Sequence, residues 1–188
     1  FPYTTLFRSL NPEPVVTYIV DRNINPTNVC VTDCGFCAFY RSPGQEGEYV
    51  LAREEIVRKV EETAALGGRQ ILIQGGHHPR IGTEWWCELI AHLKQRFPLI
   101  NAHALSAPEL DHIAKVDRRP VEEVIADLIE AGMGSVPGAG AEMPVERVRE
   151  TSAPRQTTTD RWVHILRNNH EAGLRSSATT MFAHAETS

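Results

Sequence analysis

The sequence predicts an α/β fold, a partial (β/α) barrel of the TIM type in which parallel strands alternate with helices. Apolar, β-branched runs alternate with amphipathic helical stretches about four and a half times along the 188 residues, and such alternation favours parallel strands joined by crossover helices. A Gly-, Pro- or acid-rich stretch follows each run. In a barrel these stretches gather at the carboxyl ends of the strands, where active sites lie. The number of units predicts a barrel that stops before its last unit.

Five runs are predicted as strands because they are short, apolar and rich in β-branched residues. The first of them is expected to be buried, because it contains apolar and β-branched residues almost throughout. The predicted strands span residues 15–20, 70–74, 100–105, 132–136 and 175–182.

Five stretches are predicted as helices from apolar positions that recur every three or four residues. In the first, Ile56, Val60 and Ala64 fall on one stripe, and Gly67 follows where the helix would end. Pro120 opens the fourth, because proline suits the first helical turn. The predicted helices span residues 54–66, 83–96, 109–116, 120–131 and 159–172.

Composition and charge exclude several classes of protein. The chain is 41% hydrophobic and 23% charged with a net charge of −5, which is ordinary globular composition. No basic face is visible, so nucleic acid is not expected as a partner. No apolar run approaches the roughly 20 residues that a membrane span needs, and no signal peptide is recognisable. Reduced cysteines in one loop point to the cytoplasm.

The two ends of the chain are interpreted separately from the fold. Residues 1–9 read as the translation of a common sequencing-adapter oligonucleotide, and we interpret them as a cloning or assembly scar; a natural N-terminal segment is the alternative. Residues 10–188 are then predicted to form one domain. The chain stops abruptly at Ser188, which predicts a fragment that is incomplete at its C-terminus. We expect the full-length parent to be the active enzyme and this fragment to be inactive.

The stretch most informative about function contains three of the four cysteines. Cys30, Cys34 and Cys37 follow the spacing C-x3-C-x2-C, with Phe36 just before the last thiol. Three thiolates on one loop can hold three irons of a 4Fe–4S cluster and leave the fourth iron open to a ligand. A zinc site is the weaker reading, because zinc needs four ligands and Cys87 lies in a predicted helix. A disulfide would leave one cysteine over, and nothing marks the chain as secreted.

This spacing is the signature of the radical S-adenosylmethionine (radical SAM) enzymes, and the match extends further. Residues 18–25 and 27–41, with the segments 74–76, 103–106, 135–138 and 178–182, resemble the cyclic dehypoxanthine futalosine synthase family. Aminofutalosine synthase and the deazaflavin (factor 420) synthase subunits share much of the framework and are the alternative. The sequence departs from the family pattern at Pro26, Pro144 and Ala183.

The resemblance implies a radical SAM barrel that binds a 4Fe–4S cluster and S-adenosylmethionine (SAM). The implied reaction is the cyclisation of dehypoxanthine futalosine in the futalosine route to menaquinone, through hydrogen abstraction by a 5′-deoxyadenosyl radical. The implied partners are a nucleoside-derived small molecule and an electron donor. The cofactors carry the hard chemistry in such enzymes, and no catalytic side chain is assigned. An iron–sulfur electron carrier and an inactive fragment are the alternatives that are not enzymes.

Six further residues are predicted to bind the cofactors. Gly75 and Gly76 follow a strand, where the absence of a Cβ lets the backbone approach a ligand, and the resemblance implies that the Gln74–Gly76 turn meets the methionine end of SAM. Glu142 is predicted to hold the SAM amino group or a ribose hydroxyl; a solvated carboxylate is the alternative.

Ser106 and Phe36 complete the predicted cofactor site. Ser106 ends the third predicted strand and is expected to hydrogen-bond SAM or the substrate, with a helix N-cap as the alternative. Phe36 is expected to lie against the adenine, with core packing as the alternative. His77 and His78 precede a proline, and a surface turn is expected for them rather than a ligand role.

Overall fold

The computed structural model describes residues 10, 18–140, 142 and 145–181 of the chain. Within them, five parallel strands form one sheet in the sequential order β1-β2-β3-β4-β5. The predicted α/β class with parallel strands is confirmed. The strands are β1 (Asn23–Ile24), β2 (Gln70–Ile73), β3 (Asn101–Ala104), β4 (Met133–Val136) and β5 (Arg175–Ser176).

Six helices lie among the described residues, and the five that the sequence predicts agree with the structure to within two residues at either end. The sixth, a seven-residue helix between β4 and the last helix, was not predicted. No helix in the described part of the chain has the length and apolarity needed to cross a membrane. The helices are α1 (Arg53–Ala65), α2 (Thr83–Arg96), α3 (Ala107–Asp117), α4 (Val121–Ala131), α5 (Glu146–Ser152) and α6 (Thr159–Glu171).

The prediction of a buried first strand at residues 15–20 is wrong for the part that the structure describes. Residues 18–20 form no strand, and the Tyr18 side chain is 89% exposed; residues 15–17 lie outside the described residues. The physical reason is the register: Asn23 of β1 lies opposite Leu72 of β2, and β2 begins only two residues before Leu72. Residues before position 21 therefore have no partner strand.

The last predicted strand, residues 175–182, is longer than the one observed. β5 ends at Ser176 because its partner β4 ends at Val136 and gives way to a glycine-containing loop. The chain continues beside that loop through single hydrogen bonds, such as Ser177 N–H to the Val136 carbonyl at 3.1 Å. Phe182 lies outside the described residues.

The two faces of the sheet differ in polarity. Alternate residues such as Ile71, Ile73 and Ala104 are fully buried in one core with Leu89 of α2 and Leu128 of α4. Burial of an aliphatic side chain of this size stabilises the fold by about 1.5–3 kcal/mol. The other face is only partly buried, and polar side chains bridge its strands.

The polar bridges on this second face run across three strands. Asn101 Nδ2 donates to Gln70 Oε1 at 3.0 Å and to Ser135 Oγ at 2.9 Å, and His103 Nδ1 lies 2.7 Å from the same hydroxyl. In a (β/α) arrangement the helices cover one face of the sheet, and the opposite face lines the barrel interior. The interior of this barrel is therefore polar.

Candidate functional site

The segment 28–41, called here the cysteine loop, is closed by backbone hydrogen bonds at its two ends. Arg41 N–H donates to the Asn28 carbonyl at 2.8 Å, and Cys30 N–H donates to the Arg41 carbonyl at 2.9 Å. A tight turn brings Cys37 N–H to the Cys34 carbonyl at 3.0 Å. Cys30, Cys34 and Cys37 are free thiols and half-buried, so the short spacing in sequence becomes one curved segment that carries all three sulfurs.

The nine predicted site residues all line one cavity of about 200 Å³ at the carboxyl ends of the strands. The sequence therefore predicted which residues come together, and their roles toward cofactors remain predictions. The residues are Cys30, Cys34, Phe36, Cys37, Gln74, Gly75, Gly76, Ser106 and Glu142.

The charge of the three thiols limits what they can bind. Burial, and after it the neighbouring Cys30 and Cys37, raises the pKa of Cys34 to about 12. A thiolate here therefore needs a cationic partner, and iron ions supply that charge. Among the described residues, no three or more His, Cys, Asp or Glu side chains lie close enough together to ligate one and the same metal ion. An iron–sulfur cluster does not require such a group, because each of its cysteines ligates a separate iron. The donor set fits a 4Fe–4S cluster.

The Gln74–Gly76 turn packs against the start of the cysteine loop. A Cβ on Gly76 would lie 2.2 Å from the Val29 carbonyl oxygen, and Gly76 N–H donates to the Thr27 carbonyl at 2.8 Å. The close approach that this glycine permits is therefore to the protein's own backbone, a reason that differs from the predicted approach to a ligand.

Glu109 is a site residue that the sequence analysis missed. Its buried carboxylate accepts hydrogen bonds from Gly75 N–H at 2.8 Å, Ser106 N–H at 2.8 Å and the Ser106 hydroxyl at 2.5 Å. Burial raises the pKa of Glu109, and these hydrogen bonds oppose that shift. Ser106 is the N-cap of α3 in a capping box with Glu109, so the predicted alternative for Ser106 holds while the residue also lines the cavity. The S-x-x-E pattern was the available signal.

Glu142 connects the loop after β4 with the end of the described chain. Its carboxylate accepts from Gly140 N–H at 2.6 Å and from the Thr179 hydroxyl at 2.9 Å. Each carboxylate oxygen has further lone pairs, and the side chain borders the cavity. Pro144 and Ala183, two of the departures from the family pattern, lie outside the described residues.

The unpredicted helix α5 and the loop after it hold the cysteine loop from the other side. Gly35 N–H donates to the Ser152 carbonyl at 2.7 Å, and Arg155 forms an ion pair with Asp33 at 3.2 Å. Gln156 Nε2 lies 3.7 Å from Cys34 Sγ. The helix escaped prediction because its sequence, ERVRETS, is short, polar and without an apolar stripe.

His77 is not the surface-turn residue that the sequence predicted. Its carbonyl accepts from Val31 N–H at 3.1 Å, its Nδ1 lies 2.6 Å from the Thr32 hydroxyl, and its ring stacks on His112 with centroids 5.0 Å apart. Burial, and after it His112, lowers the pKa of His77 to about 3. A neutral His77 can therefore accept the hydrogen bond of Thr32 and support the cysteine loop.

Sequence comparison finds relatives that match almost the whole of this chain. The chain is 40% identical to cyclic dehypoxanthine futalosine synthase of Halalkalibacterium halodurans (94% of this chain, 48% of the relative) and 42% identical to that of Streptomyces coelicolor (96% and 45%). It is also 38% identical to 5-amino-6-(D-ribitylamino)uracil–L-tyrosine 4-hydroxyphenyl transferase of Microcystis aeruginosa (92% and 47%). The chain spans about half the length of these curated relatives.

Solved structures of low sequence identity share the fold. The chain superimposes on HydG, a maturase of the [FeFe]-hydrogenase, with a TM-score of 0.66 at 18% identity over 87% of this chain and 36% of that one. Methylornithine synthase (PylB) gives a TM-score of 0.63 at 14% identity over 84% and 43%. The family model described as "Radical SAM superfamily" matches residues 24–187. This match covers the cysteine loop, strands β2 to β5 and the residues that line the cavity, and the chain therefore belongs to the radical SAM superfamily.

Proposed function

We propose that this chain is the cofactor-binding part of a radical SAM enzyme that cyclises dehypoxanthine futalosine. The observation that supports it best is the convergence of three cysteines with the Gln74–Gly76 turn, Ser106 and Glu142 on one cavity. The two relatives named as cyclic dehypoxanthine futalosine synthase, at 40% and 42% identity, support the choice of reaction. The domain would comprise residues 10–188.

The proposed cofactors are a 4Fe–4S cluster and SAM. Cys30, Cys34 and Cys37 would hold the cluster, and the Gln74–Gly76 turn, Ser106, Glu142 and Phe36 would surround SAM. When bound, the two cofactors supply radical chemistry that removes a hydrogen atom from the substrate.

The protein's own groups would position the ligands and keep water away. Glu109 holds Gly75 and Ser106 in place by accepting their hydrogen bonds, so the turn and the N-cap present fixed surfaces to SAM. Phe36 and Phe39 give the cavity an apolar wall, which excludes water from a reactive intermediate. The substrate would be a nucleoside-derived small molecule, and an electron donor would be the second partner. Reduced thiols are maintained in the cytoplasm, which is the proposed location.

A second candidate is the transfer reaction named for the Microcystis aeruginosa relative, which is only slightly less similar at 38% identity. This chain covers about half the length of that protein and of each of the two synthases, and the similar identities separate the two reactions poorly. The candidates differ in the substrate that they consume, and a direct assay distinguishes them.

The test is an anaerobic assay, after reconstitution with iron and sulfide, of a protein that extends this chain to the length of its curated relatives. The reaction contains SAM, a strong reductant and dehypoxanthine futalosine, and the products are identified by mass. A product two hydrogens lighter than the substrate, formed with 5′-deoxyadenosine, is expected. If 5′-deoxyadenosine appears while the substrate stays unchanged, and 5-amino-6-(D-ribitylamino)uracil with tyrosine is consumed instead, the second candidate replaces the first.

A further inference from the structure

We infer that Gln156 donates an N–H···S hydrogen bond to the Cys34 thiolate and thereby raises the reduction potential of the cluster. This inference rests on the proposed cluster site and assigns a positioning residue to it. Gln156 lies outside the cysteine motif, 122 positions from Cys34 in the sequence. Its link to the site is visible only in the folded chain.

The orientation of the Gln156 amide follows from its neighbours. Arg149 Nη1 donates to Gln156 Oε1 at 2.5 Å. A guanidinium can only donate, so the amide oxygen must face Arg149 and the NH2 group must face the other way. That group lies 3.7 Å from Cys34 Sγ, within the range of a hydrogen bond to sulfur. If the amide were flipped, its NH2 group would face the donor Nη1 of Arg149, and its oxygen would face the acceptor sulfur of the Cys34 thiolate.

Arg149 is itself fixed, so the amide has little freedom to turn. The residue is only 3% exposed, and its Nη2 donates to the Gly140 carbonyl. The loop that carries Gln156 is anchored on both sides. Gln156 N–H donates to the Ala153 carbonyl at 3.0 Å, and the Thr157 hydroxyl donates to Asp111 of α3 at 2.7 Å. The donor is therefore held in place before any cluster binds, which is the condition for a side chain to act on a metal site from outside it.

A donor at a cluster sulfur favours the reduced state. Reduction adds one negative charge to the cluster, so a hydrogen bond to a ligating sulfur strengthens and the potential rises. Thr32 N–H makes a second contact of this type, 3.4 Å from Cys30 Sγ. That donor belongs to the backbone and stays in place when side chains are changed. The hydrogen bond from the Gln156 side chain to Cys34, in contrast, can be removed by mutation.

The test measures the reduction potential of the reconstituted chain by a redox titration that is followed by electron paramagnetic resonance. Gln156→Leu removes the donor with little change in volume. Gln156→Glu keeps an oxygen for Arg149, and thus the local fold, while it removes the donor and adds a negative charge. Gln95→Leu, an exposed position on α2, is the matched control. Iron and sulfide content are measured for each protein first.

We expect all four proteins to bind the same amount of cluster. At a fixed potential, the ratio of reduced to oxidised cluster should fall about three- to tenfold in Gln156→Leu and further in Gln156→Glu. The hydrogen bond is present in both redox states, and its strengthening on reduction is of the order of one ordinary hydrogen bond. Gln95→Leu should match the wild type. Equal potentials in the wild type and both Gln156 variants would overturn the inference and leave the proposed cluster site standing. A wild-type chain that binds no cluster would overturn both.

Discussion

At the scale of single residues, the shape of the cavity depends on side chains that form hydrogen bonds within the protein, and not only on the cysteines that are expected to bind a cofactor. His77 is hydrogen-bonded to Thr32 and stacks on His112, and Glu109 accepts from Gly75 and Ser106. The sequence predicted that the three cysteines belong to one site, because the spacing C-x3-C-x2-C is diagnostic. It did not predict the role of His77, because a His-His-Pro turn has no local signal that one ring will stack on a histidine of a helix.

The first prediction concerns the pH dependence of stability. Burial and the neighbouring His112 lower the pKa of His77 from 6.5 to about 3. Between these two values the unfolded chain binds a proton that the folded chain does not, so stability falls as the pH falls through this window. The contribution of one such group has a slope of at most about 1.4 kcal/mol per pH unit.

The substitution His77→Asn keeps an acceptor for the Thr32 hydroxyl and removes the titrating ring. We expect the free energy of unfolding, measured with urea at several pH values between 6.5 and 3, to depend less steeply on pH in this variant. His112, whose pKa burial also lowers, would keep its own contribution. Equal slopes for the wild type and the variant would contradict this account of His77.

At the scale of elements, the sequence predicted repeated units well and irregular segments poorly. The bounds of α2 were predicted to the residue, because its apolar positions recur every three or four residues. The first strand was predicted at the wrong position. A β-branched composition indicates that a segment prefers the extended conformation, whereas its pairing in a sheet depends on where the neighbouring strand β2 begins. Helix α5 was missed because its position depends on contacts with the cysteine loop, which no local pattern encodes.

The second prediction tests the contact between the turn after β2 and the cysteine loop. Gly76→Ala would place a Cβ 2.2 Å from the Val29 carbonyl oxygen, and two backbone segments would have to separate. We expect a loss of about 1–3 kcal/mol in the free energy of unfolding, as for other overpacked sites, measured by urea denaturation of the chain without cofactors.

Gly35→Ala is the matched control, because its added Cβ would lie at an ordinary 3.4 Å from the Ser152 carbonyl oxygen. This variant should unfold within about 0.5 kcal/mol of the wild type, as substitutions without strain usually do. If Gly76→Ala were as stable as Gly35→Ala, the turn would not be packed against the cysteine loop as described.

At the scale of the whole molecule, a parallel sheet brings segments that are far apart in sequence to one edge. The cysteine loop, the Gln74–Gly76 turn, Ser106 and Glu142 each follow or precede a different strand, yet they share one cavity. Alternation of strands and helices was enough to predict this convergence, because carboxyl ends of parallel strands lie on one side. The contacts from α5 and Gln156 needed the structure.

The measurement that tests the central claim most directly is electron paramagnetic resonance of the reconstituted, reduced chain with and without SAM. The account predicts about four irons per chain and the signal of a reduced 4Fe–4S cluster, with a spectrum that changes when SAM is added because one iron is open to it. Cys34→Ser should lose most of this signal. A chain that takes up no cluster, or a cluster whose spectrum SAM leaves unchanged, would contradict the account.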